Sequence, residues 1–401
     1  MVFQLFGEYT GVIVFYGLVF LLVYLNRHRF EKHGSLMYLY KTQFGIKFMK
    51  KVSRKFRKPI KILGYTGIVA AYIGFFFVVY ILFQAAYDII ADTPGAVGGS
   101  PVIPGLPIAG LGIRFPLIIG WISLFIIMIV HEFAHGIMAK AHNIKIKSSG
   151  IAFFGPILGA FVEPDEERLE KKSHKVQHSI FAAGPVSNAV LWIVCIMLMV
   201  PVGAAIVSMT TPQGVTVGII QNESLPAFRS GLPENSVITG INQYEITNIT
   251  SLENALAEMK PRQKMTVRTN EGSYNLTALS HPDNSSKAYI GIWIYGEDRI
   301  LKDNTVFHNA GYSALQWILE LLVWTAFISI NIALINLFPV FITDGARMLK
   351  LNFEMIFRDK EKAAQYWVFA NSLGLTVVLI LLFFPLIRTM LNLFIGFIIS
   401  F

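Results

Sequence analysis

Two histidines and a glutamate interrupt the apolar run at residues 126–143, IIMIVHEFAHGIMAKAHN. His131 and His135 are four residues apart, a spacing that puts both on one face of a helix with their imidazoles able to share one metal ion. Glu132 sits one residue beyond the first histidine, near such an ion without being forced to ligate it. That is the arrangement of a general base acting on metal-activated water. In a chain with nine histidines, one HExxH arises by accident on the order of once in a hundred sequences, so a buried, hydrogen-bonded histidine pair is the competing interpretation. Inside an apolar span that interpretation must also supply a partner for the Glu132 charge, because ionisable groups are costly in a bilayer.

Two histidines leave a catalytic zinc site one protein ligand short. His28, His33, His142, His174 and His178 fall in loops or at span ends, and His281 and His308 in or beside a polar insert. Glu8, Asp88 and Glu320 lie toward the other side of the membrane from the histidines. Asp344, in NLFPVFITDGARM just past the fifth apolar span, is the remaining candidate at similar depth.

The elements that must carry these residues are membrane spans. Of the 401 residues, 54% are hydrophobic and 15% charged, against about 25% charged in soluble domains. Apolar runs at 9–25, 62–87, 116–139, 178–207, 313–338 and 365–385 are long enough to cross a bilayer. The expected fold is an α-helical polytopic membrane protein of about six spans. The tail 386–401 lies in the interface or extends the last span. The N-terminus has no basic start and no small-residue cleavage site, so it reads as an uncleaved helix. The net charge of +9 concentrates at residues 26–61, which hold twelve Lys and Arg and one acid, Glu31. Flanked by apolar spans, this is a loop facing anionic lipid and not a nucleic-acid surface. Loops 26–61, 140–177 and 340–364 carry 24 of the 34 Lys and Arg, which assigns them to the cytosol; loop 88–115, rich in Gly and Pro, has only Arg114. The single cysteine, Cys195, excludes an intramolecular disulfide.

Residues 213–300 change texture. VTVGIIQ, VITGINQYEI, KMTVRTN, SYNLTAL and AYIGIWI read as short strands, and SLENALAEM (251–259) as a helix capped by Ser251. Glycosylation patterns at Asn222, Asn248, Asn275 and Asn284 place this insert outside the cytosol, in agreement with the charge pattern. Its order resembles a PDZ domain of membrane and secreted proteases. It departs at Glu234-Asn235-Ser236, where Gly-Asp is usual, and at Asn242-Gln243 in place of Asn-Gly. The domain boundaries expected are 1–115, 116–207, 208–312 and 313–401. The insert either binds peptides by strand addition or is a structural cap or size filter.

HExxH in one span, NLFPVFITDG in a later one and a PDZ-like insert between them resemble the site-2 protease family of intramembrane zinc metalloproteases, over roughly residues 116–385. The family's second signature, Asn-x-x-Pro-x-x-x-x-Asp-Gly, is met by Asn336, Pro339, Asp344 and Gly345. The resemblance implies one zinc held by His131, His135 and Asp344, with Glu132 as catalytic base. Asn336 would lie beside the metal, stabilising the oxyanion or holding the substrate backbone. Pro339 would stop the helix so that Asp344 turns back, and Gly345 would permit a tight turn. AAGPVSN (182–188) also resembles a family segment, with Gly184 and Asn188 packing close to the core. The stretch 144–167 would form a membrane-embedded β-hairpin beside the site, or else an amphipathic loop. The activity implied is cleavage of a transmembrane segment of another membrane protein, already trimmed on its outer side, to release a membrane-tethered regulator. The other readings are an inactive scaffold using its PDZ-like domain, a divalent-metal transporter, and a membrane-anchored zinc protease of soluble substrates, the last disfavoured because both motifs lie inside or at the edge of apolar spans. The first should have lost a ligand or Glu132; the second should show ligands along a path through both leaflets.

Overall fold

The computed structural model describes residues 2–399 except 34–36, 94, 95, 97, 109–112, 155, 156, 221, 283, 304 and 358. Five helices are long and apolar enough to cross a membrane: Arg57–Ile90, Leu117–Ala141, His174–Met209, Val306–Leu337 and Lys360–Pro385. The first expected span falls in helix Val2–Leu25, whose apolar part, Tyr9–Leu25, is shorter than these five. The last helix runs on through Pro385 to Ile399, so the apolar tail extends it. Large apolar side chains such as Phe76, Phe125, Met197 and Phe369 stay exposed on these helices, as lipid-facing residues do.

The chain forms two compact units, residues 1–199 with 320–401, and residues 200–319. The helical unit has one main core, built from Ala71, Met138, Ile180, Phe338, Met348 and Val377 among others. Polar bonds stitch its helices together where no water competes. The Thr325 hydroxyl donates to Ser123 at 3.0 Å, and Ser329 donates to the Asn188 carbonyl at 2.8 Å. Asn352, on helix Asp344–Ile356, accepts from the Tyr72 hydroxyl at 2.8 Å and lies 3.1 Å from His178 Nε2.

The stretch after the histidine helix is the expected hairpin, Ile146–Phe154 paired antiparallel with Ile157–Pro164. The basic segment is more ordered than a loop. Its strands Glu31–His33 and Met37–Thr42 extend the hairpin into a four-stranded antiparallel sheet, with Ile157–Pro164 at one edge. Its helix Ile46–Lys55 packs on the histidine helix. Met49 there is fully buried, and a Cβ at Gly136 would strike its sulfur. Gly45, at φ +75°, opens this helix in a conformation that favours glycine.

The second unit is a mixed structure around an antiparallel sheet. Its strand order is Ser273–Thr277, Lys264–Thr269, Ser236–Ile241, Thr210–Ile219, Ile292–Leu301, with Tyr244–Glu245 pairing beside Ser236–Ile241. Alternate residues Ile238, Val215, Val217 and Val267 fill its core against Leu252 and Ala255 of helix Ile249–Glu258. That helix starts in a reciprocal cap between Asn248 and Ser251, so Ser251 caps from the third helical position and Asn248 occupies the capping one. Asn242, at φ +50°, makes the tight turn that closes the Ile241–Tyr244 pair without a glycine. AYIGIWI, expected as one strand, is two. Gly291 at φ +79° breaks it, sending Asn284–Tyr289 to pair with Leu279–His281 and Ile292–Leu301 to pair with Thr210–Ile219.

Candidate metal centre

His131 and His135 lie on the membrane-depth helix Leu117–Ala141, one turn apart. Asp344 reaches them from the other end of the sequence. Helix Val306–Leu337 stops two residues before Pro339, whose ring and missing N–H forbid continuation. The chain then turns through 338–343. Thr343 caps the next helix, its hydroxyl accepting from the Ala346 N–H at 3.2 Å and donating to the Phe338 carbonyl at 2.6 Å. Asp344 is therefore the first residue of helix Asp344–Ile356, at the positive end of its dipole. Gly345 has a different role from the turn expected of it. Its φ is not positive, and it lies within the helix; a Cβ there would collide with the Leu337 carbonyl. Glycine is needed for close backbone approach between the two helix ends.

The three side chains converge. Asp344 Oδ2 is 3.2 Å from Nε2 of His131 and 3.2 Å from Nε2 of His135, and the two Nε2 atoms are 3.2 Å apart. His131 is 8% exposed and Asp344 9%. His135 Nδ1 donates to the Ile180 carbonyl at 2.7 Å, because a carbonyl can only accept. A neutral ring then leaves Nε2 as a lone pair facing a carboxylate oxygen, a contact that a metal ion between them would satisfy. Tetrahedral donors at about 2.0–2.1 Å from zinc lie roughly 3.3 Å from one another, which is the size of this triangle. The donor set thus fits a divalent ion of the zinc type.

Asn188 is fully buried and holds its amide 3.1 Å from His131 Nδ1, while its oxygen has no partner. As an amide nitrogen it donates to a bare Nδ1 and leaves the proton on Nε2. Turned over, its oxygen accepts from Nδ1–H and leaves Nε2 bare for a metal. Gly184, one turn earlier, backs onto both rings. A Cβ there would stand 2.6 Å from His131 Nε2 and closer still to His135 Nε2. Glu132 Oε2 accepts from the Val162 N–H at 2.9 Å, so the edge strand Ile157–Pro164 touches the glutamate. Asn336 donates its amide to the Ile332 carbonyl of its own helix at 3.1 Å, and no hydrogen bond joins it to the triangle among the described residues. Pro339 is buried, its carbonyl against Gly374 of the last helix. The Ile180 carbonyl and Val162 N–H are the partners that residue patterns did not reveal; main-chain groups leave no signature in sequence.

These features define an integral membrane protein with a buried cluster of two histidines and an aspartate that could hold a metal ion. The chain belongs to peptidase family M50, the site-2 protease family, whose model matches residues 119–381. It is 26% identical over 317 residues to "Uncharacterized protein MJ0971" of Methanocaldococcus jannaschii, covering 79% of this chain and 77% of that protein. It is 22% identical over 304 residues to "Putative zinc metalloprotease SA1105" of Staphylococcus aureus strain N315, covering 62% of this chain and 68% of that one. Family membership, with the five long apolar helices, identifies a membrane peptidase.

Proposed function

We propose that this protein is an endopeptidase that cuts within the membrane-embedded segment of another membrane protein, with one zinc held by His131, His135 and Asp344. The observation that carries the reading is the 3.2 Å triangle of donors with Glu132 on the adjacent residue, on a helix apolar enough to lie in lipid. When bound, zinc supplies Lewis acidity to the peptide carbonyl and lowers the pKa of water toward about 7. Glu132 takes the proton of the attacking water and returns it to the leaving amine. The Val162 N–H engages Oε2, so this transfer falls to Oε1. Asn188 and the Ile180 carbonyl hold the two imidazoles in place through Nδ1. The substrate must unwind to expose a carbonyl, and the edge strand Ile157–Pro164 offers main-chain pairing to the extended segment. Asn336 enters as a substrate-holding amide once it releases the Ile332 carbonyl. The Lys and Arg pattern supports a site toward the cytosolic side and a PDZ-like insert outside it that tests whether the substrate has been trimmed.

The test compares the purified wild type with Glu132→Gln for bound zinc and for cleavage of a transmembrane reporter. The expected result is one zinc per chain in both and cleavage only in the wild type. A folded wild type without zinc, or undiminished cleavage by Glu132→Gln, overturns the reading.

A further inference from the structure

Four cations gather at one end of the spanning helices, around a buried histidine that the proposed reaction does not use. His142, just past the histidine helix, is 6% exposed, and its Nε2 has no hydrogen-bond partner. Its ring lies 5.9 Å from Tyr65, and Lys175 Nζ stands 4.5 Å over the same tyrosine. Arg57 Nε donates to the Ala141 carbonyl at 3.0 Å, which ties that guanidinium to the residue before His142. Burial, then the charges of Lys61, Lys172 and Arg57, push His142 down to about 4, so its imidazole is neutral at pH 7. No carboxylate pairs with Arg57, Lys61, Lys172 or Lys175 among the described residues. Asp165 pairs with Arg168, and no ion pair joins Glu166, Glu167 or Glu170 to these four cations among the described residues.

Beside this cluster an apolar groove of about 680 Å³ runs between helices Arg57–Ile90, Leu117–Ala141 and His174–Met209. The volume falls within the roughly 300–1,000 Å³ of small-molecule sites. Small residues open it: Gly67, Ala70, Ala134, Ala182 and Ala183. Groove and cluster are carried by the same three helices and their ends. Leu63 and Gly64 line the groove within a turn of Lys61, and Met138 lines it one turn before His142.

We propose that this is a binding site for one anionic phospholipid, with its phosphate among Arg57, Lys61, Lys172 and Lys175 and an acyl chain in the groove. Unpaired cations at the end of an apolar channel complement an amphiphile with a negative head. A free phosphate would satisfy the cations but leave the groove unexplained. A neutral lipid would fill the groove and leave the like charges facing one another.

The full-length protein in detergent is titrated with dioleoylphosphatidylglycerol or dioleoylphosphatidylcholine, and bound lipid is counted by native mass spectrometry. The wild type is expected to prefer the anionic lipid. Lys172→Gln and Lys175→Gln each weaken that preference about fivefold, as expected for one cation near an anionic headgroup. Neither changes phosphatidylcholine binding. Ala70→Phe, which fills the groove, lowers retention of both lipids. Thermal unfolding identifies any variant that fails to fold, and the single lysine changes, on exposed or half-exposed side chains, serve if another variant does. Equal binding of the two lipids by the wild type overturns the proposal. So does a preference that survives both lysine changes, or displacement of the lipid by millimolar inorganic phosphate alone.

Discussion

Gly184→Ala probes the metal centre with a single methyl group. The added Cβ would sit 2.6 Å from His131 Nε2 and Cε1, where ordinary contact begins near 3.4 Å, so the His131 ring must retreat by about 0.8 Å and the closer His135 ring by more. They cannot do so freely. His135 is tied to the Ile180 carbonyl and His131 to Asn188, both on the helix that carries residue 184. Moving that helix instead strains the Ser329 bond to the Asn188 carbonyl. Metal sites tolerate ligand shifts of about 0.2 Å. Zinc affinity should therefore fall about 10–100-fold, the range seen when groups that orient metal ligands are disturbed, with overpacking costing about 1–3 kcal/mol of stability.

Gly67→Ala is the matched control. Its Cβ would meet Val186, on the same helix as Gly184, at an ordinary 3.6 Å. Chelator competition measures zinc affinity, and reporter cleavage measures activity. Gly67→Ala is expected to match the wild type in both, and Gly184→Ala to lose both while remaining folded. Unchanged zinc affinity in Gly184→Ala would refute the claim that this glycine sets the position of the rings.

Three further outcomes follow from the same contacts. Asn188→Leu removes the Nδ1 partner of His131 and should lower zinc affinity about 10–100-fold by chelator competition, whereas Asn188→Asp, which can still accept from Nδ1–H, should retain most of it. Thr343→Ala loses the cap of the Asp344 helix and should lower stability by about 1 kcal/mol in thermal melts, with Thr343→Ser close to wild type. Asn352→Leu strands the Tyr72 hydroxyl and His178 and should cost about 1–2 kcal/mol; a melt unchanged from wild type would show that this link carries no stability.

The histidines and Glu132 were legible because a helix converts four-residue spacing into one face, and an apolar span makes polar residues conspicuous. Asp344 was legible from span order, which brings it to similar depth. The reasons for the glycines were not. Gly345 reads as a turn residue beside Pro339, yet it is needed because the Leu337 carbonyl approaches it across the bend. The sheet formed by Met37–Thr42 and Ile146–Phe154 was hidden for another reason. Lysines and arginines around it dominate the pattern and make the segment read as a loop, while its partner lies more than 100 residues away. AYIGIWI likewise shows unbroken β character although one glycine at φ +79° divides it between two partners.

The metal triangle joins two helices that are distant in sequence, so its dimensions depend on how those helices are held. Asp344 cannot slide along its own helix axis without breaking the Thr343 bond to Phe338 or driving Gly345 into the Leu337 carbonyl. It cannot swing outward without breaking the bond from the Trp367 indole N–H to the Ala346 carbonyl, 2.8 Å long, or the Asn352 links to Tyr72 and His178. Each contact contributes about 1 kcal/mol or less in a membrane. Together they restrain one rigid helix in several directions, and positional precision comes from that combination more than from any one bond. The same reasoning explains why so much of the support is backbone: main-chain carbonyls and N–H groups have fewer torsions to fix than side chains, and they hold a ligand within the narrow tolerance a metal demands.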